Sequence, residues 1–294
     1  MHDRLPTFWF ALSFLPAESL VPVAQAAERA GFDGLLISDH LGRPLALRSH
    51  YPHGRGRRTA IPAHLEWPDP LAVAAALAMT TERVRVATHV VVAPLWPAPL
   101  LARAAMSIAT LSGNRFELGL GAGWMREEFD ALDIPFDDRH DALDALIPML
   151  RESLCGRPLV DRHGETRPVV LSPVPDRLPI LTGGEGGRAI RRAGSLADGF
   201  AGVDYAVDAL ESLVRDLTRA RHVAGRADEP FEIRVGIRGP LDISSCRTAS
   251  RAGVTSIVVS PWRVCPDDRD PRALFDALPR FAEQVLEPIR AALR

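Results

Sequence analysis

Two rhythms of apolar residues alternate along the chain: short runs bounded by turn residues, and longer stretches of helical period. Residues 7–14 (TFWFALSF) read as a strand. Ser19 can cap a helix that carries Leu20, Val23, Ala27 and Gly31 at helical spacing, with Pro22 tolerated in the first turn. Residues 33–38 (DGLLIS) form a short buried strand ending at Asp39. A long connection, about 41–66, follows. Asp69 then caps a helix with Pro70 at its first position and an alanine-rich body to about 81. The segment 83–93 (RVRVATHVVVA) begins with alternation and becomes continuously apolar, the pattern of a strand covered on both faces.

The rhythm repeats. Leu100, Leu101, Ala104, Ala105, Ile108 and Leu111 make a helix stripe stopped by Gly113 and Asn114. Strand 115–120 (RFELGL) runs into GAGW, and a helix is expected over 139–153. Residues 156–176 are proline-rich and read as irregular. Further strands fit at 178–182, 197–202, 232–237 and 255–260, with helices at about 187–195, 206–223, 242–252 and 271–291. Eight strand–helix units with right-handed crossovers close most economically as a (β/α)8 TIM barrel, of α/β class. The expectation is one domain over 1–294, with an extended loop after strand 2 and an irregular insertion before strand 5. A doubly wound sheet is the rival, less natural for eight units in one run.

The composition narrows the classes of function. Of 294 residues 47% are hydrophobic and 24% charged, enough for a sizeable core. Net charge is −2, from 37 acids against 35 bases, all of the bases arginine, which gives no support for a nucleic-acid or membrane partner. Cys155, Cys246 and Cys265 are distant and odd in number, so neither a disulfide framework nor a metal knuckle is indicated, and a reduced, cytoplasmic setting is the simple reading. Residues 5–15 are apolar after Arg4 and could pass for part of a secretory signal, but the helical pattern that follows favours a first buried strand. No G-x-S-x-G, P-loop or H-E-x-x-H occurs, so hydrolase, NTPase and zincin readings lose their usual support.

In a barrel, chemistry sits where strands end, at the C-terminal face. Asp39 and His40 follow the second strand: an imidazole there can serve an oxygen that gains charge, or the pair can simply cap a loop. LGLGAGW (118–124) puts glycines at 119, 121 and 123 at a strand exit, suited to close approach of a flat ligand or to a tight turn. LPILTGGEGGRA (178–189) is strand, glycine cluster and helix start, a phosphate cradle in either fold. Its Gly184-x-Gly186-x-x-Ala189 matches a Rossmann fingerprint, with Asp204 some way on, but the mid-chain position argues against that fold. The connection 41–66 carries Arg43, Arg48, Arg55, Arg57 and Arg58 with His50, His53 and His64; it is either a lid for an anionic ligand or a solvated loop. Glu128 is a further acid, for which helix capping or ion pairing is the plainer reading.

Four stretches together carry a resemblance: AERAGFDGLLISDHL (27–41), WPDPLAVAAALAMTTERVRVATHVVVAP (67–94), LARAAMSIATLSGNRFELGLGAGWMREEFDALDIPFDDR (101–139) and LPILTGGEGGRAIRRAGSLADGF (178–200). The chain resembles the luciferase-like flavin and deazaflavin oxidoreductases, and among them the branch that uses coenzyme F420. The resemblance implies a tricyclic ring at the C-terminal mouth of the barrel. It places His40 beside the ring carbonyl with Asp39 as neighbour, and Thr88, His89 and Val90 on a bulged strand under the ring, with a non-proline cis bond at His89–Val90. It assigns Gly121, Ala122, Gly123 and Trp124 to the ring edge, and Gly183, Gly184, Gly187 and Arg188 to a phosphate. The implied reaction is hydride transfer between F420 and a C=C, C=N or C=O bond of a small-molecule substrate. The alternative is an FMN-dependent monooxygenase fed with reduced flavin; a cofactor-binding protein without turnover is a third class. The family's habit also implies a homodimer. Relatives often have glycine where this chain has His89, histidine at Ala98, glutamate at Trp124 and tryptophan at Pro44. Those departures point away from alcohol-dehydrogenase chemistry and toward a proton donor at His40, a lid residue or water.

Overall fold

The computed structural model describes residues 5–51, 65–160, 165–265 and 270–294. Eight strand positions form one closed parallel barrel. They are β1 (Thr7–Ala11), β2 (Gly34–Ile37), β3 (Arg85–Thr88, resuming at Val91–Val92), β4 (Phe116–Gly121), β5 (Ile180–Gly183), β6 (Gly199–Ala206), β7 (Glu232–Arg238) and β8 (Ser256–Val259). Each pairs with its successor, and Phe10 of β1 lies opposite Val259 of β8, which removes every open edge. The two pieces of β3 flank a cis His89–Val90 peptide, at the bond that the resemblance indicates.

The helices pack outside. α1 (Leu20–Arg29), α2 (Pro70–Thr80) and α3 (Ala98–Leu111) follow the first three strands. Next come α4 (Arg126–Asp130), α5 (Arg139–Leu154), α6 (Gly186–Leu196), α7 (Leu210–Val223) and α8 (Ile243–Ala252). After β8 come the single turn α9 (Pro261–Val264) and α10 (Pro271–Phe281), which runs through a π-helical stretch (Ala282–Leu286) into α11 (Glu287–Leu293). The Asp69 carboxylate accepts from the backbone N–H groups of Leu71 and Ala72, as its N-cap position demands.

Four expectations need correction. Ser19 makes no side-chain cap; its hydroxyl donates to the Pro16 carbonyl, inside a 3-10 turn that precedes α1. The first strand ends at Ala11 rather than 14, and Phe14 sits beyond it with φ 69. On α3 the buried face is Leu101, Ala102, Ala105, Met106, Ile108 and Ala109, while Leu100 and Leu111 are exposed. A helix so rich in apolar residues leaves its phase poorly set by pattern alone. The insertion before β5 is not wholly irregular, because Pro158–Val160 and Thr166–Val170 pair as an antiparallel ribbon. Thr166–Val170 is exposed throughout and Leu159 and Val160 are only half-buried, so no hydrophobic alternation marks the ribbon.

The lower interior of the barrel is ionic. Arg234, 1% exposed, is paired with both Glu117 and Glu232, and Arg85 reaches Glu117 at 2.8 Å. Both guanidiniums lie against the Trp9 ring, that of Arg234 3.5 Å and that of Arg85 4.6 Å from its centroid. Charges this deep are tolerated because each has its partner.

Above this layer sits Val90. A Cβ built on Gly121 would lie 2.5 Å from the Val90 side chain, on Gly183 3.2 Å and on Gly119 3.3 Å. Gly121 therefore makes room for a valine that the interrupted β3 aims into the barrel, while at Gly119 and Gly183 the nearer obstacles are the carbonyls of Thr88 and Ala201, the latter 2.8 Å from such a Cβ. From sequence, the spacing 119, 121, 123 suits either close approach of a flat ligand or a tight turn. Here the close approach at Gly119 and Gly121 is internal, and Val90 becomes the floor of whatever lies above.

Candidate active site

A cavity of about 800 Å³ opens at the C-terminal mouth above that floor. Asp39 and His40 reach it from the end of β2, His89 and Val90 from β3, and Gly121, Ala122, Gly123 and Trp124 from β4. Gly183, Gly184 and Ala189 close the far side, at the start of α6. Thr88 does not line the cavity. It is fully buried, and its hydroxyl donates to the Gly119 carbonyl at 2.8 Å and accepts from the Gly119 N–H at 2.9 Å, tying β3 to β4. Gly187 and Arg188 are also absent from the lining. The Arg188 guanidinium turns away to the carboxylates of Asp141 and Asp144 on α5.

His40 is held at one nitrogen. Its Nδ1 lies 2.9 Å from Oε1 of Glu128, a carboxylate 3% exposed that also accepts the Leu41 backbone N–H at 2.7 Å. An ionised Glu128 accepts the Nδ1 proton, which leaves Nε2 as the nitrogen open to chemistry. Glu128 sits on α4 beside Glu127, and the two divide the work. Glu127 takes the Ser49 hydroxyl at 2.7 Å and the backbone N–H groups of Arg48 and Ser49, pinning the connection after β2. Burial opposes its charge, but the Ser49 and Arg48 donors prevail and bring its pKa down to about 2. Of the basic connection, Arg43, Arg48 and His50 are described and His50 lines the cavity; Arg55, Arg57, Arg58, His53 and His64 lie outside the described residues.

Asp39 is nearly enclosed. Its Oδ2 accepts the Val92 N–H at 2.8 Å, where the strand resumes after the cis bond. Burial pushes its pKa up to about 6, only partly offset by that hydrogen bond and by His40. On the far side, Arg139 donates to the carbonyls of Gly123 and Phe136, and Arg192, 3% exposed, pairs with Asp144 and lines the cavity. Burial and the neighbouring Arg139, Arg192 and Arg188 depress the pKa of His140. The wall also contains Glu185, Asp204 and Arg238, and the aromatics Phe14, Tyr51, Trp67 and Trp262. These last were missed by sequence reading. Phe14 reads as part of a strand, Trp262 belongs to no motif, and Trp67 only opens the stretch 67–94 with no role attached, although each lies near an element boundary at the functional face. No group of three or more metal-ligating side chains occurs among the described residues, and no described helix is long and apolar enough to cross a membrane.

The family model described as luciferase-like monooxygenase matches residues 7–264. This chain belongs to that family. It is 30% identical over 276 residues to an uncharacterized protein of Mycobacterium tuberculosis, covering 92% of this chain and 95% of that one. It is 31% identical over 197 residues to the F420-dependent glucose-6-phosphate dehydrogenase of Beutenbergia cavernae, covering 65% of this chain and 53% of that protein. Among solved structures, an F420-dependent secondary alcohol dehydrogenase in complex with an F420-acetone adduct superposes with a TM-score of 0.75 at 15% identity, over 99% of each chain. That likeness establishes the TIM-barrel fold, and the Rossmann reading of 184–189 falls with it.

Proposed function

We propose that this enzyme is a coenzyme F420-dependent oxidoreductase acting on a C=C, C=N or C=O bond of a small organic substrate. The observation that carries the reading is one cavity that holds His40, clamped at Nδ1 by Glu128, opposite a helix start with open backbone N–H groups. Relatives whose names state F420 dependence support the choice of cofactor.

The residues fit such a group. α6 has no side-chain cap, so the N–H groups of its first turn are free for an anion, and the dipole favours one. Gly184 and Gly186 hold φ of 134 and 78, and nothing lies within 4 Å of a Cβ on Gly186, so the backbone is approachable there. Gly187 and Arg188 contribute through backbone N–H rather than charge, since the Arg188 guanidinium is already engaged. Val90 offers a flat apolar support for a ring. F420 would supply the hydride; the protein supplies position, dryness and a proton site. At that site His40 Nε2 takes the proton when an alcohol, amine or saturated product is oxidised, and returns it in the opposite direction. Glu128 keeps the imidazole in the tautomer that can do so. Asp39 fixes the backbone at Val92 and adds negative charge that steadies a protonated His40.

The test is anaerobic mixing of the chain with reduced F420 and a panel of ketones, imines and enones. Consumption of reduced F420 with matching product is expected, and His40→Ala lowers the rate by about a hundredfold. Oxygen-dependent turnover with reduced FMN, and none with F420, would overturn the reading in favour of a monooxygenase.

A further inference from the structure

Six rings form an unbroken arc along one side of the cavity. Trp262 lies 6.0 Å from Phe14, Phe14 5.8 Å from Trp67, Trp67 4.6 Å from His40, His40 5.6 Å from Trp124, and Trp124 5.2 Å from Tyr51, between ring centroids. All six line the same cavity. Four of the contacts are edge-to-face and the fifth is tilted, so neighbouring rings present faces and edges in turn. Two members are left half-open: Phe14 is 49% exposed and Trp262 55%. Large aromatics held open beside a reactive histidine have lost burial that a flat ligand would restore.

The charges divide differently. Among the described lining residues, Arg139 and His140 stand at the start of α5 and Arg192 midway along α6, on the side of the proposed phosphate site, where the acids Glu185 and Asp204 also line the wall. The remaining arginine, Arg238, is on β7 and donates to the Asp204 carbonyl. The sector made by the ends of β8, β1 and β2 brings Trp262, Phe14, Asp39 and His40 together, and its acid is Asp39. No described arginine lines that sector.

We infer that the arc from Trp262 to Tyr51 is the acceptor subsite, and that it takes a flat, uncharged substrate, an aromatic or conjugated carbonyl or imine compound, rather than a sugar phosphate. This rests on the proposed function, because the arc is a substrate wall only if His40 stands at the reacting bond. An anionic substrate would meet Asp39 with no described arginine in that sector to balance it. A planar one can slide between exposed rings and present its polar atom to His40.

The test uses matched probes on the intact chain by calorimetric titration, with and without oxidised F420. 1-Tetralone and 1-decalone share the bicyclic skeleton and the ketone, but only tetralone is flat and aromatic; glucose 6-phosphate is the anionic comparator. Tetralone is expected to bind about fivefold or more tightly than decalone, with no saturation by glucose 6-phosphate. Trp262→Ala should abolish the preference for tetralone and Trp262→Phe should restore most of it, with unchanged thermal unfolding. Glucose 6-phosphate binding as tightly as tetralone, equal affinity for the two ketones, an unaltered preference in Trp262→Ala, or no binding of either ketone would overturn the proposal. F420 affinity is measured in the same series. Loss of F420 binding with the ring preference intact would strike the proposed cofactor and leave the aromatic subsite standing.

Discussion

Asp39, His40 and Glu128 stand together at the mouth, with His40 bonded to Glu128 and Asp39 acting on His40 through charge. Glu128→Gln keeps an acceptor for the Leu41 N–H but loses the charge that steadies a protonated His40. We expect kcat to fall about tenfold or more, with the pH profile displaced toward a lower apparent pKa and the melting temperature little changed. An unmoved pH profile would reduce Glu128 to packing. Asp39 gives a second test. Its pKa is raised from 3.8 to about 6, so the folded chain holds that proton more tightly than the unfolded one. The associated stability is fully present below about pH 4 and is lost as pH rises through about 6. Relative to Asp39→Asn, the wild type should therefore lose stability between pH 4 and 6 and run parallel above pH 7; thermal unfolding across that range decides it. Asp39 and His40 were legible in the sequence because a strand ends at them. Glu128 was visible only as an acid, since 88 positions separate it from His40 and only α4 brings them together.

At the scale of elements, the interrupted β3 organises the mouth. Val90 fills a slot that Gly121 on β4 leaves, so the two strands are coupled sterically. Gly121→Ala should cost about 2 kcal/mol through overpacking, and Val90→Ala about 2 kcal/mol through the cavity it leaves. Combined, they should cost clearly less than their sum, because the smaller side chain relieves the clash. Strict additivity in denaturant unfolding would show that the slot is not shared. The eight strands and most helices could be read from periodicity and end signals, such as Asp69 before Pro70 and Gly113–Asn114 after α3. What escaped lacked such a signal. The ribbon strands Pro158–Val160 and Thr166–Val170 bury no residue fully, and the phase of α3 is blurred by Leu100 and Leu111, apolar residues left exposed. The glycine spacing at 119–123 was visible, but its causes were not, because the Thr88 carbonyl at Gly119, Val90 at Gly121, and Val92 and Phe129 at Gly123 reach those positions only in three dimensions.

For the whole molecule, barrel closure sets two different sectors across one mouth. Arginines and an uncapped helix start stand around β5, while aromatic rings and the Asp39–His40 pair stand around β8, β1 and β2. Neither sector exists in any one stretch of sequence, and the second was invisible until Trp262, Phe14 and Trp67 met. The division suits a cofactor whose anionic tail meets the start of α6 and whose ring lies over Val90, leaving the aromatic arc to the substrate. The most direct check is equilibrium titration of the purified chain with oxidised F420 and, in parallel, with FMN, read by calorimetry. The account predicts saturable binding of one F420 per chain and affinity for FMN at least about tenfold weaker. FMN binding as tightly as F420, or no saturable F420 binding, would contradict it.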